Sequence, residues 1–532
     1  MPPLRFELHC RDERQSALIP LNVVAQQTKK TASIGDHFAY GLLIMLVINF
    51  GQRVVGIVRN IGFCQFLSDA ELGQWALANS FFMIAAPLAV LGLPGAFGKF
   101  VEHFRQRLCL SAYLKRVAVV CAISTALVCV AMLVARDSFA WLVYGSPITI
   151  QIAIWTIVAL LAQVVYNFVY DMNLSLRQVR VLSSMQFANG MCFAVVGVAC
   201  LSFTNSWVVL LPSYAASCAV GALFGGWSIC RNCGQEFSDQ GTLPHSEMWR
   251  RILPFAASLW LSNLLANSFE LSDRYMLLHF SRGGESVGQS LVGQYYCGRI
   301  IPNLLVSIAL TLSGILLPYL SADWEAGRRQ DIQRRMGLVL SLLSLSFTTV
   351  SIAALVLSPL LFDWVFAGKY QAAQSILGLS LLQCTWGSVS MVAGAYLLCA
   401  ERAKAASVNL LIGLLINIGL NLSLIHYFGL AGSVTATLIA NLAVMLLTLL
   451  SMSRAGCRVD SRTLAILFLP AVLLLGIQFA AACMAVLFVI AGRTDWVINR
   501  EEKRAIDVAV LPKLHKMGLP VHSLWPTISN RR

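Results

Sequence analysis

The sequence predicts an all-α polytopic membrane protein, built as two six-helix lobes related by a pseudo-two-fold axis along the membrane normal, with one or two short C-terminal membrane helices. Three observations lead there: a train of long apolar runs, alternating charge between them, and an internal repeat. The runs fall at 37–58, 74–97, 117–135, 149–170, 183–203, 207–229, 252–280, 294–320, 337–364, 374–400, 408–427 and 430–453. Most exceed the ~20 residues that cross ~30 Å of hydrocarbon at 1.5 Å per residue. Assigning alternate sides to the connecting segments puts 24 Lys/Arg on one side and 4 (Arg59, Arg136, Arg282 and Lys369) on the other. Positive loops stay cytoplasmic, so the N-terminus is expected inside the cell membrane, with twelve spans following it.

Composition agrees. A mean hydropathy of +0.72, with 58% hydrophobic and 12% charged residues, leaves too little polar surface for a soluble domain of this length. A net charge of +14 would suggest nucleic acid in a soluble protein. Here the excess lies in loops beside anionic headgroups, so topology accounts for it and no nucleic-acid partner is expected. Most of the 15 cysteines sit in apolar runs and behave as small hydrophobic residues. Cys230 and Cys233 form one C-x-x-C without the second pair a zinc site needs, and read as two incidental thiols. No cleavable signal is expected, since residues 1–36 are polar and mixed.

In chain order, a cytoplasmic N-terminal segment (1–36) precedes an N-lobe (37–229), a cytoplasmic linker (230–251) and a C-lobe (252–453). Pro87, Pro94, Pro212 and Pro302 interrupt spans, a habit of cavity-lining helices that other membrane helices share. The repeat is more telling. Leu72-Gly73-Gln74-Trp75 returns as Val292-Gly293-Gln294-Tyr295, offset by 220 residues, each followed by an apolar run and a basic loop. Six spans restore the same side, so the halves repeat in parallel. The apolar segment 464–492 is too short for two ordinary spans, and a single span would put the basic tail (493–532) outside. Two half-helices broken near Gly476 keep that tail cytoplasmic. Within the tail, Ile506, Val510, Leu514 and Met517 recur at helical spacing, as in an interfacial helix.

Charges inside spans cost about 2.5–3.5 kcal/mol each at a helix centre, so the few present are functional candidates. Arg53, Arg274 and Arg299 each lie five or six residues from the outer end of their runs, roughly 8–9 Å deep. Three guanidinium forks at one level suit a phosphate or diphosphate. For a single such arginine, snorkelling to the headgroups is the simpler reading. Asn49, Gln52, Asn79, Asn267 and Asn303 supply polar neighbours for a wet cleft. Arg53 plus the repeat offset is Asp273, beside Arg274, which places these on opposing walls. Glu270 and Asp273 are candidates for an ion-coupling carboxylate that loads H⁺ or Na⁺. Glu270 reads equally well as the i,i+4 partner of Arg274. The cluster Lys99, Glu102, His103, Arg105 and Arg107 reads as a solvated face, or as a surface that meets a phosphorylated lipid. No metal, cofactor or nucleotide-binding loop is expected, and the soluble part that a glycosyltransferase needs is missing.

The order Asn49, Arg53, Gly56, Arg59, Leu72-Gly73-Gln74-Trp75, Gly92-Leu93-Pro94 and Lys99-Phe100 resembles the opening of the oligosaccharide and polysaccharide (O-antigen-type) flippases of the multidrug, oligosaccharidyl-lipid and polysaccharide exporter superfamily. Asp273-Arg274-Tyr275-Met276-Leu277, Val292-Gly293-Gln294-Tyr295, Leu317-Pro318 and Gly429-Leu430-Ala431-Gly432 continue the likeness, which covers about 37–455. The resemblance implies V-shaped lobes that open alternately, and a polyprenyl-diphosphate-linked oligosaccharide as cargo, moved from the cytoplasmic to the outer leaflet. It also implies cavity arginines on the diphosphate, with membrane lipids and polymerase or glycosyltransferase partners around the protein. The alternatives are an ion-coupled multidrug antiporter of the same superfamily, whose cationic substrates Arg53 would repel, and a transport-dead scaffold.

Overall fold

Helices form wherever apolar runs allow, and breaks follow proline, glycine and capping residues. The computed structural model describes residues 51–233 and 244–494 with Lys503 and Asp507; the side chains of Asn232, Cys233, Glu247, Ser262 and Glu270 are outside that description. The expected N-terminal segment, most of the first span with Asn49, residues 234–243 of the linker and nearly all of the basic tail also lie outside the described residues. Apart from Gly51, the described residues belong to one unit, Gln52–Arg532, and among them there is no strand.

Helix α1 covers residues 52–66. Ser68 then caps α2 (Asp69–Ala89) in a reciprocal box with Glu71. The chain turns at Leu91 and Gly92, passes a 3-10 turn at Pro94–Ala96 and resumes as α3 (Phe97–Gln106). Next come α4 (Leu110–Val134), α5 (Arg136–Tyr144), α6 (Ile150–Ser175), α7 (Val179–Thr204) and α8 (Leu210–Cys233). The 36-residue α9 (His245–Phe280) is followed by α10 (Glu285–Gly298), α11 (Pro302–Glu325), α12 (Arg329–Pro359), a short α13 (Gln371–Ser375) and α14 (Leu377–Cys399). Helix α15 (Ala403–Arg454) contains a non-helical residue, Gly429, at φ 53°. Then come α16 (Ser461–Phe468), a 3-10 stretch (Leu469–Leu475) and α17 (Ile477–Arg493).

Ten helices among the described residues are long and apolar enough to span a membrane. They account for the second to twelfth expected runs, because α15 joins 408–427 and 430–453 across the Gly429 bend. Two runs differ from expectation. The run at 74–97 is not one helix, since Gly92 and Pro94 break it. The run at 294–320 is cut between Gly298 and Pro302, where proline has no N–H to continue α10 and starts α11 instead. The C-terminal segment breaks at Gly476, whose φ of 100° suits glycine.

Helices α6, α7 and α8 pack together, as do α11, α12, α14 and α15, with α14 the most enclosed span. Aromatic side chains fill the first group: Phe82 stacks on Tyr214 at 5.4 Å, and Trp75 packs against Phe193 at 5.3 Å. Helix α2 joins the groups by lying along α10 and α9. Gly73 and Gly293 sit at its closest approach to α10. A Cβ on Gly73 would overlap the Gln289 carbonyl, and one on Gly293 the Asp69 carbonyl. Gln74 Nε2 donates to Gln289 Oε1 at 3.1 Å, and Gln294 Nε2 to Asp69 Oδ2 at 3.3 Å. Each contact maps onto its counterpart by the 220-residue offset of the tetrapeptides.

Candidate functional site

Consecutive tyrosines near the end of α10 organise the polar interior. Neighbours on a helix diverge by ~100°, so Tyr295 and Tyr296 face different groups of residues. The Tyr295 hydroxyl donates to Asp273 Oδ2 at 2.8 Å and accepts from Arg299 Nη1 at 2.9 Å. The Arg299 guanidinium lies 5.5 Å from the Tyr295 ring, and its Nε donates to Asn303 Oδ1 at 3.2 Å. Arg299 stands at the α10–α11 break, in a turn rather than within a continuous helix.

Asp273 is 1% exposed. Besides Tyr295, it accepts from Asn417 Nδ2 (3.0 Å), Asn421 Nδ2 (2.8 Å) and Thr437 Oγ1 (2.5 Å), all on α15. Ser272 Oγ donates to Asn417 Oδ1 at 2.8 Å, and Asn421 Nδ2 to the same oxygen at 3.1 Å. Nearby on α15, Asn421 Oδ1 and Ser433 Oγ are buried without a partner. The four direct donors are neutral and satisfy the buried carboxylate, and the Arg299 guanidinium one hydroxyl away offsets part of its charge.

Tyr296 faces the other way. Its hydroxyl donates to Asn60 Oδ1 at 3.2 Å, which also accepts from Arg59 Nε (3.2 Å) and Nη2 (3.0 Å). Arg59 packs 4.9 Å from the centre of the Phe193 ring. Arg274 lies 5.9 Å from the Tyr296 ring centre, is 7% exposed, and donates from Nη1 to Ser80 Oγ at 2.6 Å. Its Nε is buried with no partner. Among the described residues, neither Arg59 nor Arg274 makes an ion pair within 4.0 Å. Cationic groups thus flank Tyr296 with neutral partners only. Such an arrangement has positive charge and donor capacity to offer an anion.

The remaining candidates are spread more widely. Arg53 Nη2 donates to Ser307 O and Thr311 Oγ1, each at 2.7 Å. Arg53 thus bonds within α11, beyond Pro302, whereas Arg299 stands in the turn before it. Both Arg53 and Arg274 nevertheless reach across: Arg53 from α1 to α11, Arg274 from α9 to α2. Gln52 Nε2 donates to Ser183 O at 3.2 Å, and Asn267 Nδ2 to Met83 O at 3.3 Å. Asn79 is half-buried and Asn303 exposed. Asn49 and the Glu270 side chain lie outside the described residues. Sequence reasoning missed Arg59, which it counted as a loop charge; the signal available was Asn60 and Phe63 beside it in a helix that continues to residue 66.

Comparisons with known proteins follow this geometry. The family model described as "Polysaccharide biosynthesis protein" matches residues 38–323, and that described as "Lipid II flippase MurJ" matches 259–503. No curated protein sequence matches the chain. Among solved structures, a lipid II flippase in an inward closed conformation is similar at TM-score 0.64 and 12% identity, covering 85% of this chain and 99% of that one. An inward-facing multidrug resistance transporter of the MOP superfamily gives 0.59 at 15% identity, covering 78% and 98%. A MOP superfamily transporter from Pyrococcus furiosus, described as having a binding pocket of reverse polarity, gives 0.52 at 14%, covering 78% and 94%. At these identities the likeness establishes a common all-helical fold.

Proposed function

We propose that this chain, which belongs to the polysaccharide biosynthesis protein family, moves a polyprenyl-diphosphate-linked oligosaccharide from the cytoplasmic to the outer leaflet by alternating access. It is a multi-pass membrane protein with a flippase and transporter fold, and the cell (inner) membrane with a cytoplasmic N-terminus is the setting that the loop charges favour.

The observation that carries the reading is the buried Arg274, with an unpartnered Nε, beside Tyr296 and Arg59. Arg299 stands one residue pair along on Tyr295. Arg274, Arg299 and the added Arg59 form the diphosphate locus, and Arg53 holds a second position on the opposite wall. A diphosphate offers oxygens to several guanidinium forks at once, whereas a cationic drug would be repelled. That favours the lipid-linked anion over the multidrug antiporter.

Asp273 is the coupling carboxylate in this scheme, for H⁺ or Na⁺. Its carboxylate and the unpartnered oxygens of Asn421 and Ser433 are the acceptor atoms that a small cation would use, in competition with Arg299 one hydroxyl away. Asp273 joins Arg299 through the single Tyr295 hydroxyl, so cation loading and anion release would share a hydrogen bond. The lobes 37–229 and 252–453 are the moving parts, and the reciprocal α2–α10 contacts support their equivalence. Polymerase and glycosyltransferase partners belong to the same proposal.

The test is translocation of a fluorescent polyprenyl-diphosphate saccharide in proteoliposomes, with deletion in cells alongside. The expected results are protein-dependent flipping, and loss of surface polysaccharide with lipid-linked intermediates left facing the cytoplasm. Unaltered polysaccharide with new sensitivity to cationic dyes would replace this reading with drug export.

A further inference from the structure

Helices α6, α7 and α8 bring together a second group of polar side chains. On α6, Gln163, Asn167 and Asp171 recur every fourth residue, with Tyr166 and Tyr170 beside them. At ~100° per residue this stripe faces away from Ile154, Val158, Leu161 and Val165, the exposed apolar row that meets lipid. On α7, Gln186 and Asn189 likewise face away from the exposed Phe187, Met191 and Val195. Gln186 Nε2 donates to the Tyr170 hydroxyl at 3.0 Å, and the Tyr214 hydroxyl on α8 donates to Gln163 Oε1 at 2.8 Å. A Cβ on Gly221 of α8 would lie 2.6 Å from Tyr166 Cε2 and 3.3 Å from Asn189 Cβ, so α6 and α7 converge over that glycine. The side toward α1 is open. Helix α1 meets α7 where Gln52 Nε2 donates to Ser183 O, and again where Arg59 packs on the Phe193 ring. Gly56 lies on the same face of α1 as Gln52 and Arg59. Neither it nor Gly190, which lies between the two contacts on α7, has an atom within 4 Å of a built Cβ.

We infer that this open side holds the sugars of the lipid-linked cargo that lie nearest its diphosphate, an inference that rests on the flippase reading above. Polar side chains in a membrane often serve only to join helices, and then they use up their hydrogen bonds on one another. Here several groups are left over. Among the described residues, the Tyr166 hydroxyl and the Asp171 carboxylate make no hydrogen bond or ion pair. Asn167 accepts from Gln163 Nε2 at 3.0 Å but its own Nδ2 is unused, and Gln186 leaves Oε1 unused. A phenol, an amide N–H, an amide oxygen and one carboxylate are complementary to sugar hydroxyls, which both donate and accept. A phosphate would find no cation in this group. A cationic amine would want open ring faces, yet Tyr166 lies against Gly221 and its ring centre is 6.2 Å from that of Tyr170. The reach also fits. From Phe193, where Arg59 packs, Asn189 and Gln186 are ~6 and ~10 Å along α7. Sugars on a diphosphate held at Arg59 meet Asn189 first and Gln186 next.

The experiment uses the full-length chain in neutral detergent and measures Kd by tryptophan fluorescence for two lipids. One is the lipid-linked oligosaccharide that accumulates in the deletion strain, and the other is polyprenyl diphosphate without sugar. The wild-type protein should bind the glycosylated lipid at least about tenfold more tightly. Asn167→Leu/Gln186→Leu should lose about tenfold on the glycosylated lipid. It should keep its affinity for polyprenyl diphosphate, which also shows that it is folded. Should the double variant not fold, Asp171→Asn keeps the shape of the side chain and should lose about fivefold, on the glycosylated lipid alone. Equal affinity of the wild type for the two lipids, or equal losses on both in these variants, would overturn the inference and leave the diphosphate locus standing. Binding of neither lipid would overturn the flippase reading itself. Tight binding of ethidium that Asp171→Asn abolishes, with saccharide binding untouched, would assign the site to a cationic amine instead.

Discussion

Gly73 and Gly293 face one another across α2 and α10, each leaving room for a backbone carbonyl of the opposite helix. A Cβ built on Gly73 would also lie 3.1 Å from Gly293 N, and one on Gly293 3.0 Å from Gly73 N. The obstructing atoms are backbone, so neither helix can yield by changing a rotamer. Glycine is required here for close approach; small residues let membrane helices touch in this way.

Gly73→Ala or Gly293→Ala should therefore force α2 and α10 apart, at a cost of about 1–3 kcal/mol for overpacking. Flipping should fall and thermal stability drop in both variants by similar amounts. Gly98→Ala, with nothing within 4 Å of its Cβ, should change neither. Unfolding temperature and translocation rate measured on all three variants check this.

Arg274→Ala should reduce translocation by at least about tenfold, the loss expected for one charge-assisted contact to a phosphate. Arg274→Lys should recover little, because an ammonium cannot reproduce the fork. Arg53→Ala tests the opposite wall. If Arg53→Ala and Arg274→Ala each leave transport intact, the anion locus is in the wrong place.

Asp273→Asn keeps shape but removes the charge. It should fold and yet lose its response to imposed H⁺ and Na⁺ gradients in proteoliposomes. Asp273→Ala strands the donors of Tyr295, Asn417, Asn421 and Thr437, and should destabilise the protein by about 2 kcal/mol or more. A gradient response that survives in Asp273→Asn would remove Asp273 from ion coupling.

Cysteine chemistry tests topology. Cys230 is exposed, whereas Cys457, outside the spans, is buried and its thiol is pushed up to about 11. Burial disfavours the thiolate, so Cys457 has ~10⁻⁴ of it at pH 7 and becomes a nucleophile only in strong alkali. In single-cysteine variants an impermeant maleimide should label Cys230 in inverted vesicles and not in intact cells. Cys457 should stay unlabelled in both at pH 7.

The helical content and the break near Gly476 were legible because hydropathy, loop charge and a lone glycine are local signals. The tetrapeptide repeat was legible as well, and its glycines proved to lie at the closest contact between α2 and α10. Less local facts were not. The polar neighbours of Asp273 include Asn417, Asn421 and Thr437, which lie 144–164 residues further along the chain; no spacing rule reaches that far. Arg59 was counted with an outer loop because the apolar run stops at residue 58, although the helix does not. Depth counted from run ends set Arg53 level with Arg299, and the break before Pro302 defeats such counting.

The junction of α2 and α10 bears on leakage. Carrying bulky cargo through a membrane risks collapsing its voltage each time the path is open to both sides. Two helices that touch through their main chains, with no space for a methyl group, have none for a hydrated ion. In the proposed transport scheme, Gly73 and Gly293 in register would insulate that end of the path and spare an ion gradient from leaking there.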